Sequence, residues 1–354
     1  MIDLNQYVCS LPFVNLELHN KQNFMCCPSW LTKHLDGDIP LDKLWNSEKS
    51  IDIRKSMIDG SFKYCDKTQC PYLSQLISKG GDTVGPIYHK DKLPSYITDF
   101  YNIETGEMSI GPKIIQMSFD RSCNYKCPSC RVTMIMAGSN EIKRIQTTIE
   151  EIESLWGNEI TDFYITGSGD PFVSVGFKKF LRDFNHKKYP KLKRIHLHTN
   201  ASMWNKEMWN SMKKVHKYIK SCEISIDAAT KDTYENITRI GGKWDTLLDN
   251  LNFISSIPTL KYIKPSFVVQ STNYKEMVPF LNLMKSIFGK RTHVFFGKIN
   301  NWGTFTEEQF KELQVWDESH PDYNDFIIEF NKVCLDDQVF HNMQEFITTK
   351  KHLV

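Results

Sequence analysis

The segment Asp120-Arg121-Ser122-Cys123-Asn124-Tyr125-Lys126-Cys127-Pro128-Ser129-Cys130-Arg131 sets three cysteines in a C-x3-C-x2-C spacing. Three thiolates can hold three irons of a cubane cluster and leave the fourth iron without a protein ligand. An iron left open can bind a further molecule, as open positions do in other catalytic metal centres. The bland alternative is a zinc knuckle, which needs a fourth His or Cys ligand that the loop lacks. Upstream lie Cys9, Cys26, Cys65 and Cys70, with Cys27 beside Cys26. Four thiolates there suit a second iron–sulfur cluster or a tetrahedral zinc ion equally well. Of the ten cysteines, only Cys222 and Cys334 stand apart, and these read as small buried residues.

The bulk composition supports metal binding over disulfides. The chain has 354 residues, 40% hydrophobic and 24% charged, with a formal net charge of +2. That is an ordinary globular composition, and it points to neither nucleic-acid binding nor a polybasic membrane anchor. The N-terminal MIDLNQYVCSLPF has no basic start, no long apolar core and no small-residue cleavage site, so no signal peptide is expected. No apolar run is long enough to span a bilayer. A cytoplasmic protein with reduced thiols is the expectation, and clustered cysteines then favour metal.

The elements that must position these residues begin at Lys113. Short runs rich in Ile, Val, Phe and Tyr predict strands over 114–119, 161–166, 194–199, 222–226, 265–270 and 292–296. Helical spacing predicts helices over 147–156, 173–185, 206–218, 243–255 and 274–288. Six alternations imply an α/β fold with a parallel sheet: a partial (β/α)6 TIM-like barrel over 113–300. Before it come a cysteine-rich domain over 1–78 and a linker over 79–112 that opens with Lys79-Gly80-Gly81-Asp82. After it comes a helical extension over 301–354, with helices near 307–316 and 323–333. In such sheets the chemistry sits at the C-terminal strand ends. Those ends carry Gly167-Ser168-Gly169-Asp170-Pro171, then His196-Leu197-His198-Thr199-Asn200, then Ser225-Ile226-Asp227, with Arg239 following. Glycines let a backbone approach a ligand closely, and a guanidinium suits bidentate carboxylate binding. His196 and His198 share a strand face and read as a hydrogen-bonded pair in a polar interior. No general base is identified.

The triplet, set directly after the first strand, resembles the signature of the radical S-adenosylmethionine (radical SAM) superfamily. The resemblance implies that Cys123, Cys127 and Cys130 hold a reactive [4Fe–4S] cluster whose open iron chelates the methionine amino and carboxylate groups of S-adenosylmethionine. One electron, from a donor such as flavodoxin or ferredoxin, then cleaves the sulfonium. The resulting 5′-deoxyadenosyl radical abstracts hydrogen from substrate. The Gly167-to-Pro171 turn resembles the family's Gly-Gly-Glu-Pro segment, with Asp in place of Glu. This implies that Gly167, Gly169 and Asp170 contact the methionine ammonium. Asn200 lies in a segment similar to the family's Thr-Asn, and Ser225 and Asp227 in one similar to its Ser-x-Asp. Arg239 falls where relatives clamp the methionine carboxylate, and Gln270 and Asn273 where adenine or ribose comes within reach. Ser129 departs from the family, which usually has an aromatic residue just before the third cysteine.

The segments around Cys9, Cys26, Cys65 and Cys70 resemble the auxiliary-cluster module known as SPASM, or its shorter twitch form. Here the module precedes the barrel rather than following it. The cysteine number implies one auxiliary cluster, and the interval from Lys21 favours Cys26 over Cys27. The resemblance implies a radical enzyme acting on a peptide or protein. The alternatives are oxidation of a sugar or aminocyclitol alcohol, and an inactive metal-stabilised binding protein.

Overall fold

A computed structural model describes residues 2–79 and 85–347, so Gly80, Gly81 and Asp82 of the expected linker lie outside the described residues. The chain is mixed α/β, with parallel pairing dominant, and divides into two compact units. The first comprises residues 1–120, 138–168 and 184–195; the second comprises 121–137, 169–183 and 196 onward.

In the first unit, β1 (Tyr7–Cys9) is followed by β2 (Asn15–Leu18), β3 (Gln22–Phe24), β4 (Leu35–Asp36), β5 (Ile87–His89), β6 (Ile114–Met117) and β7 (Asp162–Ile165). Parallel β2, β6 and β7 align Glu17, Gln116 and Tyr164 in one register row. Antiparallel β3 and β4 extend this sheet beyond β2, while β1 and β5 form a separate antiparallel pair. The N-terminal segment therefore places β2 beside the strand that precedes the cysteine triplet. Alternation buries Leu16, Ile115, Phe163 and Ile165 on one face. The helix Ser139–Trp156 buries Ile145, Ile152 and Trp156, which share a helical face. It starts eight residues before the expected 147. Its first two turns are mostly polar, and Glu141 and Arg144 pair across them at 2.6 Å.

The chain passes into the second unit within β8 (Arg194–Thr199). Beyond it lie β9 (Ile219–Ser225), β10 (Tyr262–Val269), β11 (Val294–Lys298) and β12 (Val339–His341). β8 neighbours β9, and β9 to β12 pair in parallel, with Ser225 opposite Ser266 and Ser266 opposite Phe295. Met277, Phe280, Leu281, Met284 and Phe288 form the buried stripe of the helix Met277–Phe288. They cover an apolar face that includes Phe267 and Phe296.

Two expectations need correction. The stretch after residue 300 is not wholly helical: helices Glu307–Leu313 and Tyr323–Asn331 are followed by β12. The three residues Val339–His341 are too short to show an alternation. β5 likewise lies inside the stretch expected to be a linker.

The loop after Cys9 rests on a buried arginine. Arg54 donates from Nε to the Pro12 carbonyl (3.0 Å), from Nη1 to Asn46 Oδ1 (3.0 Å) and from Nη2 to the Trp45 carbonyl (2.7 Å). Its guanidinium also lies 4.3 Å from the Trp45 ring centroid. Burial pulls its pKa down to about 9. Arg54→Met keeps the stem but takes the donor from the Pro12 and Trp45 carbonyls, while Asn46 Oδ1 keeps Met108 N. It is expected to destabilise the fold by about 2–4 kcal/mol in urea unfolding. A loss below about 0.5 kcal/mol would contradict this role.

Candidate functional site

The cysteine triplet belongs to the second unit and is pinned from several sides. The Cys127 carbonyl accepts from the amides of Cys130 and Arg131, both at 2.9 Å, which closes a tight turn. Lys126 N donates to the Ile240 carbonyl at 3.0 Å, and Tyr125 Oη lies 3.0 Å from Tyr234 Oη. Asn124 is held by Ser202 and Asn200. The close approach depends on Gly242, where an added Cβ would sit 2.6 Å from the Tyr234 ring and 3.0 Å from Tyr125 Oη. Beside it, Gly241 has φ +102°, a conformation suited to glycine.

Each of the three sulfurs has its own side-chain donor. Asn200 Nδ2 lies 3.7 Å from Cys123 Sγ, and Arg239 Nη1 lies 3.6 Å from Cys127 Sγ. Arg131 reaches Cys130 Sγ with Nε and Nη2, both at 3.4 Å, while its Nη1 donates to the Arg121 carbonyl. Cys123 and Cys127 are buried and Cys130 is exposed. Burial raises the pKa of Cys123 and Cys127, and Arg239 opposes that rise at Cys127.

The donors are aimed by the strand ends. Asp227 and Ala201, just past β9 and β8, both have φ +60°. Non-glycine residues in the left-handed region are uncommon and concentrate at functional sites. Asp227, which is buried, accepts from Val268 N at 2.8 Å and pairs at 2.6 Å with Nη2 of the half-buried Arg239. The stretch Thr233–Thr238 that delivers Arg239 is a π-helical turn, a geometry often found at such sites. Glu276 fixes its approach by accepting from Ala229 N, Thr230 and Thr233 Oγ1. Burial lowers the pKa of Arg239, but Asp227 and Cys127 outweigh it, so the guanidinium stays charged. Its Nε is buried without a hydrogen-bond partner.

Asp170 is buried and accepts from Phe172 N (2.9 Å), Thr199 Oγ1 (2.7 Å) and Asn200 N (2.8 Å). It thereby staples its turn to the end of β8, while Asp170 N donates to the Ser122 carbonyl at 2.8 Å. Gly169 lies in this unit, whereas Gly167 belongs to the first, where a Cβ on it would come 3.2 Å from Ser118 Oγ. Asn273 donates its amide to the carbonyls of Asp227 (3.0 Å) and Val268 (2.9 Å), and Gln270 Nε2 donates to Thr272 at 2.8 Å. Asn273 thus braces two strand ends.

The donor chemistry of the triplet fits an iron–sulfur cluster. Three cysteines come with N–H donors on every sulfur, and Arg239 Nε is left available to an anionic group. Residues 117–259 match the family model of the Radical SAM superfamily. The chain carries a radical SAM domain. No curated protein matches the chain significantly. Among solved structures, SuiB of Streptococcus suis bound to S-adenosylmethionine is similar at 13% identity and TM-score 0.44, covering 66% of this chain and 50% of that one. SuiB bound to its precursor peptide SuiA is similar at 14% identity and TM-score 0.40, covering 55% and 40%. TYW1 with a lysine–pyruvate adduct is similar at 17% identity and TM-score 0.38, covering 75% and 80%. The chain thus spans about half or less of the two SuiB chains.

Outside the radical SAM domain, Cys9, Cys26, Cys65 and Cys70 line one apolar cavity in the first unit, with Trp30, Phe62 and Leu73 among its walls. Cys27 is half-buried and not part of that lining. Burial raises all four thiol pKa values, that of Cys65 to about 12. At Cys70 the amides of Leu73 and Tyr72, at the start of the helix Pro71–Lys79, pull it back. Among the described residues no disulfide forms, and no three His, Cys, Asp or Glu converge as ligands of one metal ion do.

The polar interior expected around His196 and His198 is a row across β8 to β10, in which each histidine bonds a serine rather than the other histidine. His196 Nδ1 bonds Ser221 Oγ at 2.8 Å, and His198 Nε2 bonds Ser225 Oγ at 3.0 Å. Glu223 pairs with Lys264 at 2.5 Å and lies 4.0 Å from His198. Burial alone would raise the Glu223 pKa, but Lys264 and His198 bring it down to about 2. A carboxylate held low stabilises the fold above its usual 4.5, and that contribution is lost as pH falls through about 2. Glu223→Gln is therefore expected to lower stability at neutral pH and to approach the parent chain as pH falls over that interval. Urea unfolding of the metal-free chain against pH checks this, and parallel curves would contradict it.

Proposed function

We propose that the chain is a radical SAM iron–sulfur enzyme that cleaves S-adenosylmethionine reductively and abstracts hydrogen from a substrate. In this reading Cys123, Cys127 and Cys130 hold the reactive [4Fe–4S] cluster. The cluster and S-adenosylmethionine, when bound, supply the one-electron cleavage; the protein supplies binding, orientation and exclusion of water. The observation that carries the reading is the set of donors on the three sulfurs. Iron–sulfur sites concentrate negative charge on sulfur, and N–H···S bonds stabilise and tune it. Two guanidiniums and an amide, each on a different cysteine, meet that requirement.

Arg239, steadied by Asp227, offers Nε to the methionine carboxylate, the pairing a guanidinium recognises well. Asn200 both orients the loop and bonds Cys123. Ser225 is assigned to the cofactor side of β9, and Gly167, Gly169 and Asp170 to the methionine ammonium. Asp170 acts chiefly by holding the end of β8, since three protein donors already occupy its carboxylate.

The fold reading that accompanies this is a partial (β/α)6 barrel over 113–300, preceded by an auxiliary-cluster domain over 1–78 and a linker over 79–112, and followed by an extension over 301–354. One auxiliary [4Fe–4S] cluster is assigned to Cys9, Cys26, Cys65 and Cys70. Four thiols lining one cavity suit either a cluster or a tetrahedral zinc ion; association with a radical SAM domain favours the cluster. A peptide or protein is the substrate we favour, on the resemblance of these segments to auxiliary-cluster modules.

Anaerobic reconstitution followed by dithionite should yield 5′-deoxyadenosine and methionine from S-adenosylmethionine. Cys127→Ala should abolish both products, because a thiolate ligand is lost. Full product formation by that variant would refute the assignment. Cys70→Ala should remove about four irons per chain and leave S-adenosylmethionine binding intact. Unchanged iron, with zinc present in the parent chain, would refute the auxiliary cluster.

A further inference from the structure

Residues 132–136 carry an apolar strip beside the exposed corner of the triplet. Val132, Met134 and Met136 are 73%, 55% and 61% exposed. No other five-residue stretch among the described residues holds three exposed large hydrophobics. The strip is not a loose tail. Ile135, at its centre, exchanges both backbone hydrogen bonds with Cys123, at 2.8 and 3.3 Å, and Ala137 N donates to Ser122 Oγ at 3.0 Å. The strip is thus fastened to the first cysteine of the triplet, and the third, Cys130, is exposed a few residues away.

Charge along this loop is one-sided. Residues 121–137 contain Arg121, Lys126 and Arg131 and no Asp or Glu, in a chain whose net charge is only +2. Arg131 is buried on Cys130, while Arg121 and Lys126 are exposed. An apolar patch on a cationic loop fits a partner carrying an apolar spot beside acidic groups. The strip is also short. Transient redox encounters bury less than roughly 1,200 Å², whereas a lasting dimer needs considerably more.

We propose that Val132, Met134 and Met136, with Arg121 and Lys126 exposed on the same loop, form the docking surface for an acidic one-electron carrier protein. This rests on the radical SAM reading above. The carrier is oxidised by one electron and the cluster held by the triplet is reduced by one, from the 2+ to the 1+ state, with no proton or bond change required. Docking here sets the donor beside the exposed Cys130.

The test uses the full cluster-loaded chain, a reduced flavodoxin of net negative charge, and dithionite as a small reductant that needs no docking. Met134→Glu should lower flavodoxin-driven cleavage of S-adenosylmethionine about tenfold and leave dithionite-driven cleavage unchanged. Met134→Lys, equally polar but of the favourable sign, should retain most of the flavodoxin-driven rate. For the parent chain that rate should fall as ionic strength rises from about 50 to about 300 mM, while the dithionite rate does not. Equal losses in Met134→Glu and Met134→Lys would overturn the proposal, as would an unchanged flavodoxin rate in Met134→Glu. So would a parent-chain dimer that Met134→Glu dissociates. A parent chain inactive even with dithionite would instead overturn the radical SAM reading beneath it.

Discussion

In the proposed function three sulfurs must stay in fixed positions, charged and shielded, while the centre they would hold keeps one side open. Much of the second unit answers to that constraint. A thiolate in a buried setting is costly unless donors or cations face it. Here each sulfur has a different donor from a different element: Asn200 from the end of β8, Arg239 from beyond a π-helical turn, and Arg131 from the loop itself. The left-handed backbone at Ala201 and Asp227 is the local cost of aiming two of those elements. Asp227 then serves two purposes, anchoring Arg239 and tying β9 to β10 through Val268 N.

The surrounding face extends the same logic. Serines, histidines and the Glu223–Lys264 pair occupy alternate positions of β8, β9 and β10, while the opposite positions hold Leu197, Ile224 and Phe267. A polar face held in place by its own internal partners can meet a charged ligand without swelling or collapsing. The first unit applies a related arrangement to its four thiols, set round an apolar cavity, with Arg54 steadying the loop that follows Cys9.

Much of this was legible in the sequence because it depends on spacing. The C-x3-C-x2-C triplet, and the strand candidates that became β6 to β11, follow from local patterns that survive without tertiary context. What depends on distant partners was not legible. Nothing in the text separates Arg131 from Arg121, yet one is buried on a sulfur and the other exposed. Asn273 reads as a ligand contact, but its amide is taken by two backbone carbonyls. Glu223 is one acid among many until Lys264, 41 positions later, is brought within 2.5 Å. β12 and β5 were hidden by brevity, since three residues show no period. Cys26 and Cys27 are equivalent as letters and differ only in which one faces the cavity.

The central claim is that the triplet holds a cluster whose bare iron takes S-adenosylmethionine. The most direct test is the electron paramagnetic resonance spectrum of the reduced, reconstituted chain before and after S-adenosylmethionine is added. A [4Fe–4S]1+ signal that changes shape on addition is the expected result, because direct ligation alters the cluster's electronic environment. A signal indifferent to S-adenosylmethionine, or a triplet occupied by zinc and silent throughout, would contradict the account.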